Sequence, residues 1–246
     1  SITIDLSSYI GQDIIIAFEY QGNNAHEWYV DDVTIFDGKV FVGGTTGHET
    51  DWNTASNWNP SGVPTGNHNV LINSTAQVNE GTALANAIHL GGSTLTIASG
   101  AQLQHNNKGV VATMLRSVAP YTSTKDNYVL IASPLKGYTD PTSVNHLISN
   151  SYTYDLYAFD QSQPLEWLNY QTEPKPFTTL DNGKGYLYAH NYSGGSIDLE
   201  FTGEILPSNV DTIIAINYDE GKEFSGWNLV GIISRSEERF SRNAET

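Results

Sequence analysis

Between residues 87 and 105 the chain repeats one short unit, a few alternating residues followed by glycine. Ala87-Ile88-His89-Leu90 runs into Gly91-Gly92, Thr94-Leu95-Thr96-Ile97 comes next, and Ser99-Gly100 precedes Ala101-Gln102-Leu103. Side chains alternate between the two faces of a strand, and a glycine about every 8 to 9 residues supplies a corner. Such spacing is too short for helices and predicts a few coils of a parallel β-solenoid over residues 51–105. Three rungs are few for independent stability, so the segment is expected to pack on a neighbour.

The segment in front, 51–64, reads DWNTASNWNPSGVP and holds Trp52 and Trp58. Two roles are open to these rings: stacking on a sugar, or packing as a core or cap, and packing is the expectation. Residues 39–50 (KVFVGGTTGHET) read as a linker, and their glycines lack the Gly-Lys-Ser/Thr ending of a phosphate loop. Residues 106–127 read as a polar connection. A β-sandwich-like domain is predicted over 128–234, with strands at 128–133, 152–159, 167–170, 185–190, 197–202, 212–217 and 227–231. One helical turn is expected to start at Pro141, with Asp140 as its cap. Residues 1–38 read as three further strands, in which Ile2, Ile4 and Leu6 alternate, then Ile14, Ile16, Phe18 and Tyr20, then the run from Trp28 to Phe36.

Composition agrees with an all-β reading. Only 15% of residues are charged, so solubility rests on Asn, Ser, Thr and Gly, which also suit tight polar turns. A formal charge of −16 argues against nucleic acid and against anionic lipid. No apolar run approaches the roughly 20 residues of a spanning helix, so no membrane insertion is expected. The absence of Cys excludes disulfides and thiolate metal sites. The chain opens in mid-strand without an initiator Met and is expected to be a piece of something longer, behaving as a monomer.

Asp31 and Asp32 are the most informative charged pair. On a strand, Asp31 shares a face with Tyr29, Val33 and Ile35, and Asp32 shares one with Trp28, Val30 and Phe36. Both faces are apolar, and an unpaired carboxylate is costly there. A structural calcium ion held by Asp31 and Asp32 would resolve the cost. The alternative is a carboxylate capping a turn or exposed at a strand end. No other cofactor is implied.

Several stretches carry a resemblance. Asp5-Leu6-Ser7, Tyr9, Gly11-Gln12, Ile16-Ala17-Phe18 and Val30-Asp31-Asp32-Val33 are similar, in order and spacing, to the closing strands of a jelly-roll module. The modules in question are the gingipain-type cleaved adhesin and MAM-like domains of secreted Bacteroidota proteins. Trp52, Asn57-Trp58, Gly62-Val63-Pro64 and Val70-Leu71-Ile72 resemble a segment that precedes short rungs in such proteins, and YDLYAFD, LEWLNY, LEFTGE and FSGWNLVG resemble a module that recurs in them. Asp211-Thr212-Ile213 resembles their short O-glycosylation acceptor; the plainer reading is a strand start. Residues 235–246 (RSEERFSRNAET) are similar to the translation of a sequencing adapter and are set aside as non-native. The resemblance implies an extracellular or outer-surface location, with export by type IX secretion.

Catalytic patterns are sparse. Gly-x-Ser-x-Gly does not occur, the seven His are scattered without a His-Glu-x-x-His, and carboxylates such as Asp155, Asp160, Glu166 and Asp181 are what any acidic β-protein offers. The expectation is therefore an all-β fragment: the end of a jelly roll, a short solenoid-like segment, and a β-sandwich-like domain. It is expected to be non-catalytic, binding extracellular protein or glycan through exposed aromatics such as Trp167, Tyr170 and Tyr192. The alternative is the passive rear portion of a secreted peptidase or glycoside hydrolase whose catalytic domain lies upstream.

Overall fold

The computed structural model describes residues 4, 6–9, 12–22, 29–30, 36–123, 127–210 and 214–231. The chain divides into two compact units, Ser1–Asp37 and Gly38–Thr246. In the first, the regular element among the described residues is a 3-10 turn at Ser7–Tyr9. Among the described residues the strand expected from Ile14 to Tyr20 is not formed: 12–22 carry no strand, and Ile14, Ile16, Phe18 and Tyr20 are exposed. Alternation creates a strand only where a neighbouring ladder takes up its backbone groups, and no described strand does so here.

The second unit is all-β and begins as a solenoid. Strands β1 (Lys39–Phe41), β3 (Asn69–Ile72) and β6 (Ala87–Leu90) stack in parallel on one face. Strands β4 (Ala76–Val78) and β7 (Leu95–Ile97) stack on a second face, and β5 (Thr82–Leu84) and β8 (Gln102–Gln104) on a third. Asn69 lies opposite Ala87, Ala76 opposite Leu95 and Thr82 opposite Gln102, so one coil takes 18 to 20 residues. Gly92 and Gly100, at φ of 81° and 85°, turn corners that a side chain would strain. The inward residues are small or branched (Ala76, Val78, Ala83, Ile88, Leu95 and Ile97) because the coil interior is narrow.

The expected linker 39–50 is corrected at its start, since β1 is the first rung. Its three residues are too short to show a period, yet Phe41 is fully buried. The loop after β1 closes this end of the stack. Strand β2 (Trp58–Asn59) pairs antiparallel with β1, and Trp58 packs edge-on against Trp52 at 4.7 Å and Phe41 at 5.0 Å. Trp52 and Trp58 are therefore a cap, as expected, and are buried. Buried Asn57 ties the loop, accepting from the Thr45 amide at 3.0 Å and donating to the carbonyls of His48 and Asp51 at 2.6 and 2.9 Å. Lys39 is almost fully covered, and its ammonium donates to the carbonyls of Pro60 and Ser61.

The far end is closed differently. On the exposed edge of β6, the Asn107 side chain accepts from the Ile88 amide and donates to the Ile88 carbonyl, both at 2.8 Å, as a further strand would. On the second face, β9 (Val111–Val118) adds in parallel to β7 and then pairs antiparallel along its whole length with β14 (Ile197–Glu204). The polar connection expected at 106–127 is thus corrected: it contains one of the two longest strands among the described residues. Arg116 on the inward parity of Ala112, Met114 and Val118, and Val111 and Leu115 on the outward one, blur the apolar alternation in VATMLRSV, which hides the strand in the sequence.

The sheet β4-β7-β9-β14 is one layer of the sandwich-like half. The other layer has the order β10-β13-β11-β12, from β10 (Val129–Ile131), β11 (Tyr154–Phe159), β12 (Trp167–Asn169) and β13 (Tyr186–His190). Buried side chains of both layers, including Ile197, Leu199, Phe201, Leu156, Tyr186 and Tyr188, belong to one core that is continuous with the solenoid interior. A 3-10 turn at Pro141–Ser143 begins where expected, with Asp140 accepting from the Thr142 amide at 2.8 Å. Of the strands expected at 212–217 and 227–231, the described residues 214–217 and 227–229 carry none, and Val230 makes a single bridge to Lys184. Residues 211–213, like 235–246, lie outside the described residues.

Candidate functional site

The outward face of the β10-β13-β11-β12 sheet collects polar and aromatic side chains in three rows. Strand β11 buries Tyr154, Leu156 and Ala158, and so turns Asp155, Tyr157 and Phe159 outward. In the first row Ala189 lies opposite Asp155, and Tyr128 donates its hydroxyl to Asp155 Oδ2 at 2.7 Å. In the second row Leu130, Leu187, Tyr157 and Asn169 are successive partners across the four strands, and Asn169 donates its amide to the Tyr157 hydroxyl at 3.2 Å. In the third, Phe159 pairs with Trp167, ring centroids 5.2 Å apart.

A loop segment extends the third row. Phe224 lies 6.2 Å from Phe159, and Trp227 lies 5.4 Å from Phe224, giving a run of four rings from Trp167 to Trp227. Both end rings are exposed. One side chain holds this segment in place. Buried Gln161 donates to the carbonyls of Asn217 and Trp227 at 2.7 and 3.2 Å, and its Oε1 accepts from the amides of Asp219 and Gly226 at 3.2 and 2.6 Å. Lys222 adds a hydrogen bond to the Ser162 carbonyl at 2.7 Å. The rings thus sit on backbone fixed by polar contacts from β11's own exit loop.

The three aromatics expected to bind ligand fall in three different places. Trp167 stands exposed on this face. Tyr170 is corrected, because it is buried against Phe177 at 5.3 Å, with the Lys175 ammonium 4.0 Å above its ring. A residue three positions from Trp167 turns to the other side of the strand, so the period of two already separates the pair. Tyr192 is exposed and packs on Tyr152 at 5.4 Å, but it follows His190, which pairs with Tyr154 at the end of β11 away from Phe159. Phe159, Phe224 and Trp227 were not expected here. Phe159 was readable from its parity with Tyr157, whereas Phe224 and Trp227 arrive through hydrogen bonds that no local pattern announces.

Electrostatics are quiet on this face. The Tyr128 phenol is pushed well above its usual range, chiefly by its hydrogen bond to Asp155, and stays a donor. Burial and the Asp155 charge also raise Tyr157. Asp31 and Asp32, expected to hold calcium, lie outside the described residues. Among the described residues no three His, Cys, Asp or Glu side chains converge on one point. No helix among them is long and apolar enough to cross a membrane.

A scan against protein-family models, a search of curated proteins and a search of solved structures each return no match.

Proposed function

We propose that the second unit is a non-catalytic binding module of an exported surface protein, and that it takes extracellular ligands on the outer face of the β10-β13-β11-β12 sheet. The observation that carries this reading is the run Trp167–Phe159–Phe224–Trp227, whose exposed end rings would otherwise cost solubility. Exposed aromatic rings rimmed by polar groups mark interaction surfaces, because each ring buries a large apolar area while its edges tolerate water. The Tyr157 hydroxyl and the Asn169 amide lie in the next row, where they offer donors and acceptors to a hydroxyl-rich ligand.

The test is capture of the intact chain on arrays of immobilised glycans and extracellular-matrix proteins, beside a Trp167→Ala/Trp227→Ala variant. The reading expects capture that the double variant loses by tenfold or more. Capture that is blank for the native chain, or indifferent to the two substitutions, would remove this face as the binding surface.

A further inference from the structure

The reading of the aromatic face as a glycan or protein site leaves its ligand class open, and the first row narrows it. Asp155 is the outward carboxylate of that row. Its hydrogen-bond partner among the described residues is the neutral Tyr128 hydroxyl. The two ion pairs among those residues, Lys136–Glu204 and Lys175–Glu173, do not involve it. Ala189, between Asp155 and Tyr128, is small enough to let the phenol reach across its strand and fix the carboxylate's orientation.

We propose that this face binds a cationic amino-glycan, a polymer whose sugar rings rest on Phe159 and Trp167 while a free amino group pairs with Asp155. The inference rests on the binding-module reading above. Asp155 and Phe159 are four residues apart on one strand, about 13 Å. A lone amine cannot span that distance, whereas a chain of several sugars can. The second row, with Tyr157 and Asn169 between the two ends, supplies partners for the intervening hydroxyls.

Alternative ligands fit less well. An acidic glycan meets Asp155 and a chain of net charge −16, so it is repelled. A neutral glycan leaves the carboxylate without an opposite charge. A basic peptide recognised in extended form would add to a sheet edge, where its backbone finds partners, but these side chains project from the middle of the face. The amino-glycan answers both chemistries with one ligand, since apolar sugar faces stack on rings and ammonium groups pair with carboxylates.

Calorimetric titration of the intact chain with a glucosamine hexamer and with its fully N-acetylated counterpart tests the proposal, at a pH where the free amines are charged. The amine form should bind at least tenfold more tightly than the acetylated form, and added salt should narrow the gap. Asp155→Asn, which keeps an acceptor for Tyr128, should erase that preference and leave the acetylated hexamer unaffected. Trp167→Ala should weaken both. Equal affinity for the two hexamers, or indifference to Asp155→Asn, overturns the amino-glycan proposal but leaves the aromatic face in place. The proposal likewise falls if an oligolysine of similar length outcompetes the amine hexamer. Absence of any glycan or matrix-protein capture, with Trp167→Ala silent, would instead sink the underlying binding reading.

Discussion

The solenoid and the sandwich-like half treat their exposed backbone and aromatic rings in opposite ways. In the solenoid the first end is closed by its own loop, with Trp52 and Trp58 turned inward, and at the far end Asn107 occupies the edge of β6 while β9 continues the second face. In the other half, Trp167 and Trp227 turn outward, and Gln161 spends four hydrogen bonds on holding loop backbone beside them. A tryptophan indole is equally apolar in both places. What differs is the backbone that presents it, so the same residue type stabilises one half and equips the other for contact.

Removing one ring from each half should separate these roles most sharply. Trp58→Ala takes a buried ring from the cap and is expected to cost about 3–5 kcal/mol in chemical denaturation. Trp167→Ala should cost less than about 1 kcal/mol, as a substitution on the surface. Similar losses for both would mean that the sheet face is part of the core and not a contact surface.

A smaller effect is expected at the other solenoid end. Asn107→Ala removes both contacts to Ile88 and should destabilise by about 1–3 kcal/mol, since it leaves two backbone groups of an edge strand unsatisfied. Freed edges pair with other chains, so light scattering should also show association that rises with concentration. A variant that stays monomeric and equally stable would show that the edge is guarded by something else.

The mildest effect concerns pH. His105 is buried at the end of the last complete coil; its Nδ1 contacts the Asn107 carbonyl, its backbone amide donates to Ser208 Oγ, and its Nε2 has no partner among the described residues. Burial pushes this imidazole below its ordinary value of 6.5, so the folded state resists a proton that the unfolded chain accepts. Stability should therefore be fully present above about pH 6.5 and decline as pH falls below it, until the folded-state imidazole itself titrates. Melting temperatures followed from about pH 7.5 downward should show this decline, and His105→Asn should flatten it by keeping a donor to Asn107 while removing the titration. A native-like slope in that variant would assign the acid sensitivity to other groups.

Much of this architecture is visible in the sequence, for reasons that differ by region. The rungs at Ile88, Leu95 and Ile97 are legible because glycine corners recur at nearly constant spacing. Tyr154 to Phe159 and Tyr186 to His190 are legible because their residues alternate or are densely apolar. Strand β9 is not, because its partners are set by distant residues: β7 on one side, β14 on the other. The binding face is half legible. Trp167 and Phe159 follow from parity, and the same rule places Tyr170 inside. Phe224 and Trp227 depend on the side-chain amide of Gln161, a residue some 60 positions earlier, which no periodicity can signal.

Asn107 has a consequence for how such a molecule grows. A parallel coil accepts another coil wherever its edge is free, so nothing in the stacking itself says when to stop. Here one amide offers the donor and the acceptor that the next rung would have brought, and the count of rungs on that face ends with it. On that face the stop is thus written outside the repeat, at Asn107. A chain with an added coil inserted ahead of residue 107 would keep the same terminator, and the solenoid would lengthen like a ruler with a fixed end stop.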